Sequence, residues 1–461
     1  MEKSVMGIYF NPGNESFTKD KNSELYLDKT GLLEYLNRVV GTNANCISVS
    51  HARRFGKSHA AGMIDAYYSR GCDSSDLFKD TEIATKDSYQ KYLNQYNVIH
   101  IDVSSFWDVY KENIIEKIQE YIYDELERVY GSQLDYTKMI SSALNNFREY
   151  TMLKSKQITR YFGFTEEEVK NLCDIYHMDF ESVKAWYNGY LIDGLHMYNP
   201  NSVVQAMLDH DFDYYWKNTS SFESINTFIT MNYEGLKDDV LAMLAGEKVR
   251  VNVNTFQNDL TTVASKDDAL TVLIHLGYLG YDADKKSAYV PNYEVAAAFE
   301  LALQTGAWSE VAKSISKCDE LLDATLDGNA DKVAELVELA HETYTSIIKY
   351  NDEKSLSCVL TMAYFTASAY YNIVREFSSG KGYADLVFIP RTNAGTRPAM
   401  IVELKYNKSA DSAIQQIKER RYQGALSGYG DKILLVGINY GDDAKKLKKH
   451  TCIIEEIKSC D

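Results

Sequence analysis

The 461-residue chain has only 5 prolines, against 36 tyrosines and 17 phenylalanines. So little proline leaves helices uninterrupted, and a helix-rich chain is expected. The 7 cysteines, at positions 46, 72, 173, 318, 358, 452 and 460, are scattered, odd in number and never spaced Cys-x-x-Cys. That pattern argues against a zinc site or a disulfide framework, and it fits a reducing cytoplasm. No apolar run reaches the roughly 18 residues that a membrane-spanning helix needs, so no membrane partner is expected. The opening residues, Met1-Glu2-Lys3-Ser4, carry no apolar core of a secretory signal. Positive charge is also short: 49 Lys and Arg against 66 Asp and Glu leave a net charge of −17. There is no fixed-period repeat and no low-complexity tract, and the length suits two or three domains.

The most informative stretch lies near the C-terminus. It runs from Glu376 through Gly380-Lys381-Gly382 and Asp385 to Met400-Ile401-Val402-Glu403-Leu404-Lys405-Tyr406. Ala384–Ile389 and Met400–Leu404 are short Val- and Ile-rich runs around a polar loop, the pattern of a hairpin. Glu403 and Lys405, two apart, fall on one face of a strand, with Leu404 on the opposite, core face. Two carboxylates on neighbouring strands and one ammonium suit a hard cation, Mg²⁺ or Mn²⁺, because a substrate phosphate and water complete its shell. Such an ion polarises a phosphodiester and lowers the pKa of a bound water. Lys405 can orient that water or stabilise developing charge. A helix over Leu360–Glu376 is expected to bring Glu376 to the mouth of the site. A second, over Ser409–Leu426, carries Gln416 beside it, and Lys432–Ile438 reads as a buried strand. Taken alone, a Glu-x-Lys pair is far more often the solvated face of an exposed strand.

Charge is distributed unevenly. From Lys381 to His450 there are 13 Lys and Arg against 7 Asp and Glu, a local +6. One cluster is Lys418, Arg420 and Arg421; another is Lys445, Lys446, Lys448 and Lys449. A basic stripe on an acidic chain suits a polyanion; a nucleic-acid partner is expected, DNA rather than RNA, although charge alone does not separate the two. The second cluster reads equally well as a solvated helix face.

The order of helix, hairpin with Asp then Glu-x-Lys, Gln-bearing helix and strand resembles the PD-(D/E)XK nuclease superfamily. More narrowly, it resembles the nuclease domain at the C-terminus of bacterial AAA-ATPase-like proteins. The resemblance implies that Asp385 and Glu403 bind metal, that Lys405 acts on the water or the transition-state charge, and that Glu376 and Gln416 assist.

The N-terminal region adds a second set of residues. Cys46–Ser50 reads as a strand, His51-Ala52-Arg53-Arg54-Phe55-Gly56-Lys57-Ser58 as a loop, and His59–Ser69 as a helix. A Gly-Lys-Ser loop at a helix start is suited to phosphate, so Gly56, Lys57 and Ser58 are candidates to bind ATP or another nucleotide. The glycine required five residues before Gly56 is His51, and a structural relic without ligand is the competing reading. Tyr26-x-Asp28-Lys29-Thr30, this loop, Tyr161-Phe162-Gly163-Phe164-Thr165, Trp186-Tyr187-Asn188-Gly189-Tyr190 and Val290-Pro291-Asn292 together resemble the AAA-ATPase-like family, which uses the variant loop. Members carry an apolar strand ending in Asp-Glu for Mg²⁺ and water. Here Val98–Ser104 reads as a buried strand in which Val103 follows Asp102, and residues 106–143 read as Glu-rich helix. Nucleotide hydrolysis is therefore expected to be weak or absent.

Smaller features have structural readings. Thr165 and Glu168 form a capping box. Trp186–Tyr190 is a packed turn or a base-stacking patch, and His275 is a core histidine. Val295–Tyr350 reads as an acidic helical connector. The chain is thus expected to be an α/β and α+β multidomain protein. A shortened P-loop, AAA-like domain spans 1–220 and a helical connector 221–345. A restriction-endonuclease-like α/β domain of PD-(D/E)XK type spans 346–461. The expected function is metal-dependent hydrolysis of nucleic acid, with a nucleotide-binding regulatory module. The alternatives are a non-catalytic scaffold for nucleic acid or protein and a nucleotide-binding switch. The oligomeric state is left open.

Overall fold

The structure is a computed structural model. It describes residues 6–45, 47, 49, 54–110, 113–130, 156–192, 194–215, 221–231, 233–244, 246–256, 263–305, 317–344, 353–379, 382–391, 394–422, 426, 429–441 and 449–458. The chain divides into two compact units, Met1–Val169 with Ile192–Val204 and Lys170–Leu191 with Gln205–Asp461.

The first unit is mostly helical. Helices Glu15–Lys21, Gly31–Val39 and Lys57–Tyr68 bury Phe17, Leu33, Met63, Tyr67, Phe78 and Ile83 in one core. A buried tyrosine needs a partner for its hydroxyl, and here Asn37 supplies two. Its Nδ2 donates to Tyr67 Oη at 3.0 Å, and its Oδ1 accepts from Tyr68 Oη at 2.7 Å. Polar anchors of this kind let tyrosine serve as core, and among the described residues the largest fully buried side chains are seven tyrosines and four phenylalanines.

The strand expected over Val98–Ser104 does not form. Ile99 is exposed and makes only an isolated antiparallel bridge with Phe10, and a helix begins at Val103. The cause is Asp102, whose Oδ1 accepts from Ser104 N at 3.0 Å and Ser104 Oγ at 2.6 Å and so starts the helix as a cap does. Helices Val103–Tyr110 and Ile114–Tyr130 follow, packing Phe106, Ile118, Ile122 and Leu126 on Phe10. The remainder of the 106–143 stretch, from 131 on, and most of the expected Cys46–Ser50 strand lie outside the described residues.

In the second unit the last part of the chain forms a layered α/β structure. Helices α1 (Ala330–Tyr344) and α2 (Glu353–Ala363) lead into strands β1 (Tyr371–Ser379), β2 (Gly382–Pro390) and β3 (Ala399–Tyr406). Helix α3 (Ala410–Arg420) and strands β4 (Lys432–Tyr440) and β5 (His450–Lys458) complete it. The sheet order is β5-β4-β3-β2-β1. β3 and β4 are parallel, as a crossover through α3 requires, and the other pairs are antiparallel. Alternation sorts the side chains. Phe388, Met400, Val402, Leu404 and Val436 join the core that holds Val337, Val359 and Leu360 of α1 and α2. Ile401, Ile433 and Leu435 pack instead with Ile414 and Ile417 of α3. The sheet is covered on both faces, so its strands read as continuous apolar runs.

Glu376 is not at a helix end. The helix expected over Leu360–Glu376 stops at Ala363, a 3₁₀ turn spans Phe365–Ala369, and Glu376 lies within strand β1. Tyr371, Ile373, Val374 and Phe377 favour a pleated, half-buried surface over a helix, and Tyr371 and Ile373 are buried in the core.

Two smaller readings resolve here. Trp186, Tyr187 and Tyr190 are buried, so the aromatic segment is a packed turn rather than an open stacking surface. His275, expected in the core, is exposed on the helix Lys266–Leu276. The acidic connector includes helices Tyr293–Thr305 and Cys318–Leu326, while Trp308–Ile315 lies outside the described residues. Among the described residues no helix is long and apolar enough to cross a membrane.

Candidate active site

The β2–β3 hairpin sets the geometry. Its ladder pairs Phe388 with Met400, Val387 with Ile401 and Leu386 with Val402. Next along, the Asp385 carboxylate enters the backbone pattern, accepting the Leu404 N–H at Oδ2 over 2.8 Å. Leu404 points into the core, which turns Glu403 and Lys405 to the α3 face. Lys405 Nζ lies 3.0 Å from Glu403 Oε1 and donates to the Leu404 carbonyl at 2.9 Å. Glu403 is 1% and Lys405 5% exposed. A charge pair this deep is costly unless its hydrogen bonds are met, and here one carboxylate oxygen has no partner.

Helix α3 delivers the next residue. Ser409 caps it, accepting from Ser412 N at 3.2 Å in a capping box. Its apolar face, Ala413, Ile414 and Ile417, lies on the sheet, and Gln416 Nε2 donates to Glu403 Oε1. This approach depends on Gly437, which stands beside Glu403 in the parallel register of β4 and β3. A Cβ at Gly437 would sit 2.5 Å from the Ala410 carbonyl oxygen, so any side chain there lifts the start of α3. A glycine inside an apolar strand was the available signal for such an approach. Tyr422, just past α3, is 2% exposed and donates through its hydroxyl to the Tyr383 carbonyl at 2.7 Å. Burial raises its pKa above the usual tyrosine value.

The electrostatics are those of a site short of positive charge. Burial and the neighbouring Asp385 push the Glu403 carboxyl up to about 7, against the opposing pull of Lys405. Its Oε2 is fully buried and accepts no hydrogen bond. An orphaned, buried carboxylate oxygen beside a second carboxylate is a donor set suited to a divalent cation.

The structure therefore brings Asp385, Glu403, Lys405 and Gln416 together. For Glu376 it gives a register position: the pairs Arg375↔Leu386 and Phe377↔Ala384 leave it opposite Asp385 in the β1–β2 ladder. Its side chain lies outside the described part of the structure. Of the basic clusters, Lys418 is engaged by Glu455, Arg420 and Arg421 are exposed, and Lys445, Lys446 and Lys448 lie outside the described residues.

Gly56, Lys57 and Ser58 meet in the first unit, at the start of the helix Lys57–Tyr68. Gly56 adopts φ 75° as its N-cap. The loop is anchored by Phe55, which is fully buried. Gly163, at φ +89°, faces the Phe55 ring so closely that a Cβ there would lie 2.6 Å from it. Nearby, Lys29 Nζ lies 2.7 Å from Glu168, whose Oε2 also accepts from Thr165 N at 2.8 Å. Glu168 N returns a bond to Thr165 Oγ1 at 3.4 Å, completing the capping box.

These features define a chain that ends in a nuclease-type α/β domain and begins with a Gly-Lys-Ser loop at a helix start. Residues 13–193 match the family described as Predicted AAA-ATPase, and residues 351–450 match the PD-(D/E)XK nuclease superfamily. The chain thus joins an AAA-ATPase-like domain to a domain of the PD-(D/E)XK nuclease superfamily. It is also similar to a protein of Azotobacter chroococcum mcd 1 described as an uncharacterized protein in the vnfD 5′ region. The two are 22% identical over 319 residues, 66% of this chain and 59% of that relative's length.

Proposed function

We propose that the C-terminal domain is a divalent-metal-dependent nuclease acting on DNA. The observation that carries this reading is the buried Glu403 Oε2, without a hydrogen-bond partner, beside Asp385 and backed by Lys405 and Gln416. Asp385 and Glu403 would hold Mg²⁺ or Mn²⁺, which supplies charge neutralisation at the phosphodiester and an acidified water. Lys405 lies against Glu403 and stabilises negative charge developing on the scissile group. Gln416 fixes Glu403 Oε1 and so orients the carboxylate. Glu376, opposite Asp385 in the ladder, assists from β1. The N-terminal domain is read as a regulatory module that binds ATP or another nucleotide at Gly56, Lys57 and Ser58. Nucleotide hydrolysis there is read as weak or absent, because Val103 follows Asp102 where the family's acidic strand carries Glu.

The test is cleavage of plasmid, linear duplex, single-stranded DNA and RNA with Mg²⁺ or Mn²⁺ and with EDTA. Lys405→Ala and Asp385→Asn should each lower cleavage on the order of 10²- to 10³-fold while the circular dichroism spectrum is kept. Cutting that persists in EDTA, or in both variants, would sink the reading.

A further inference from the structure

A second cluster of ligand-type side chains lies away from the carboxylate site, where α1 meets the edge strand β5. Glu338 and His341 are three residues apart on α1, so both face the same side of the helix. His450 is the first residue of β5. One ligand-capable atom from each of the three lies within 4.8 Å of the other two. His450 has a side chain with no exposed surface, and His341 is 5% exposed.

The hydrogen bonds give His450 a definite role. Glu338 Oε2 accepts from Lys449 N and His450 N, each at 3.0 Å, and meets His450 Nδ1 at 2.8 Å. A carboxylate there holds the proton on Nδ1 and leaves the lone pair on Nε2. Nε2 is buried and has no hydrogen-bond partner. The His341 ring stands edge-on to His450, with centroids 4.9 Å apart, and Tyr440 contacts both rings, at 4.7 and 5.0 Å. Burial lowers the pKa of both imidazoles, His341 to about 4, so both are neutral near pH 7, the form that ligates. Glu338 is partly exposed, which gives the cluster an outlet to solvent.

We propose that Glu338, His341 and His450 form a binding site for a Zn²⁺-class transition-metal ion, separate from the carboxylate site and pinning β5 to α1. His450 ligates through Nε2 and His341 through its ring, Glu338 sets the tautomer and supplies the negative charge, and water completes the shell. Imidazole donors favour such an ion over Mg²⁺, which prefers oxygen. This site does not depend on the nuclease reading.

The experiment uses the full chain, stripped with EDTA and titrated with Co²⁺ as a spectroscopic probe and then with Zn²⁺ in competition. Folding of each variant is checked by circular dichroism. Visible Co²⁺ absorption, displaced by Zn²⁺, is expected in the native chain and in Asp385→Asn, and it should vanish in His341→Phe and His450→Gln. Glu338→Gln should weaken Zn²⁺ binding about 10- to 100-fold. Should His450→Gln not fold, His341→Phe, which keeps the ring packing, carries the test. No Co²⁺ absorption in the folded native chain, or absorption that survives in His341→Phe, overturns the proposal and leaves the cluster a hydrogen-bonded tether.

Discussion

Asp385 and Glu403 place two carboxylates against one ammonium in a buried site, and that imbalance should be felt as instability when no cation is present. Asn at 385 keeps an oxygen for the Leu404 N–H, removes one charge and leaves Glu403 paired with Lys405. Asp385→Asn should therefore stabilise the protein in EDTA, by about 1 kcal/mol, while lowering cleavage on the order of 10²- to 10³-fold. Urea unfolding with EDTA checks this, and a variant less stable than the native chain would count against it. A separate pH effect is expected in the first unit, where His100 Nδ1 lies 2.6 Å from Asp65 Oδ2 and the bond raises its pKa. A raised histidine contributes stability that is fully present below its unfolded value, near 6.5, and is lost as pH rises through the folded value. His100 is partly exposed, so the effect should stay below about 1 kcal/mol. The urea midpoint should fall from pH 6 upward in the native chain and stay flatter in His100→Asn. Residues of the carboxylate site were legible because local periodicity decides their faces: Glu403 and Lys405 by the two-residue strand repeat, Gln416 by the helical one. Glu338 and His450 are 112 residues apart, and no local pattern pairs them.

Elements were read less evenly than residues. The hairpin Ala384–Leu404 and the strand after α3 follow from apolar runs whose two faces are both covered, and α3 itself from the helical spacing of its one apolar face. Strand β1 was missed because Leu360–Glu376 contains neither Gly nor Pro, so the change from helix to strand at Tyr371 carries no breaker. Asp102 shows the opposite case: an apolar run, Val98–Val103, is cut short by a side chain that caps a helix. Two glycines act at this scale. Gly437 allows α3 to sit close enough for Gln416 to reach Glu403. Gly437→Ala should lift the helix start and lower cleavage more than it lowers stability, which for an overpacked contact falls by about 1–3 kcal/mol. Gly163 combines a left-handed backbone with the Phe55 ring against its Cα. Gly163→Ala should destabilise the first unit by about 1–3 kcal/mol, read as an early thermal transition, and should disturb the loop that holds Gly56 and Lys57.

At the scale of the whole chain the decisive property is the contrast between a net −17 and the +6 carried by residues 381–450. The rest of the chain carries a net −23 and on balance repels a polyanion, so binding must rest on few contacts, and its salt dependence is set by how many phosphates they neutralise. The structure narrows which residues make them. Lys418, Arg420 and Arg421 are all exposed at the end of α3, the helix that carries Gln416 into the site, and Lys418 also pairs with Glu455. If each of these two arginines neutralises one phosphate, each contributes about −0.9 to the slope of log K against log salt on duplex DNA. Arg420→Ala/Arg421→Ala should flatten that slope by about 2 and raise KM with little change in kcat, because neither group touches the reacting atoms. Binding isotherms between low and moderate salt measure the slope directly. An unchanged slope would move the phosphate path to the other basic positions of 381–450. An unchanged slope together with salt-independent binding would remove the electrostatic basis for a nucleic-acid substrate altogether.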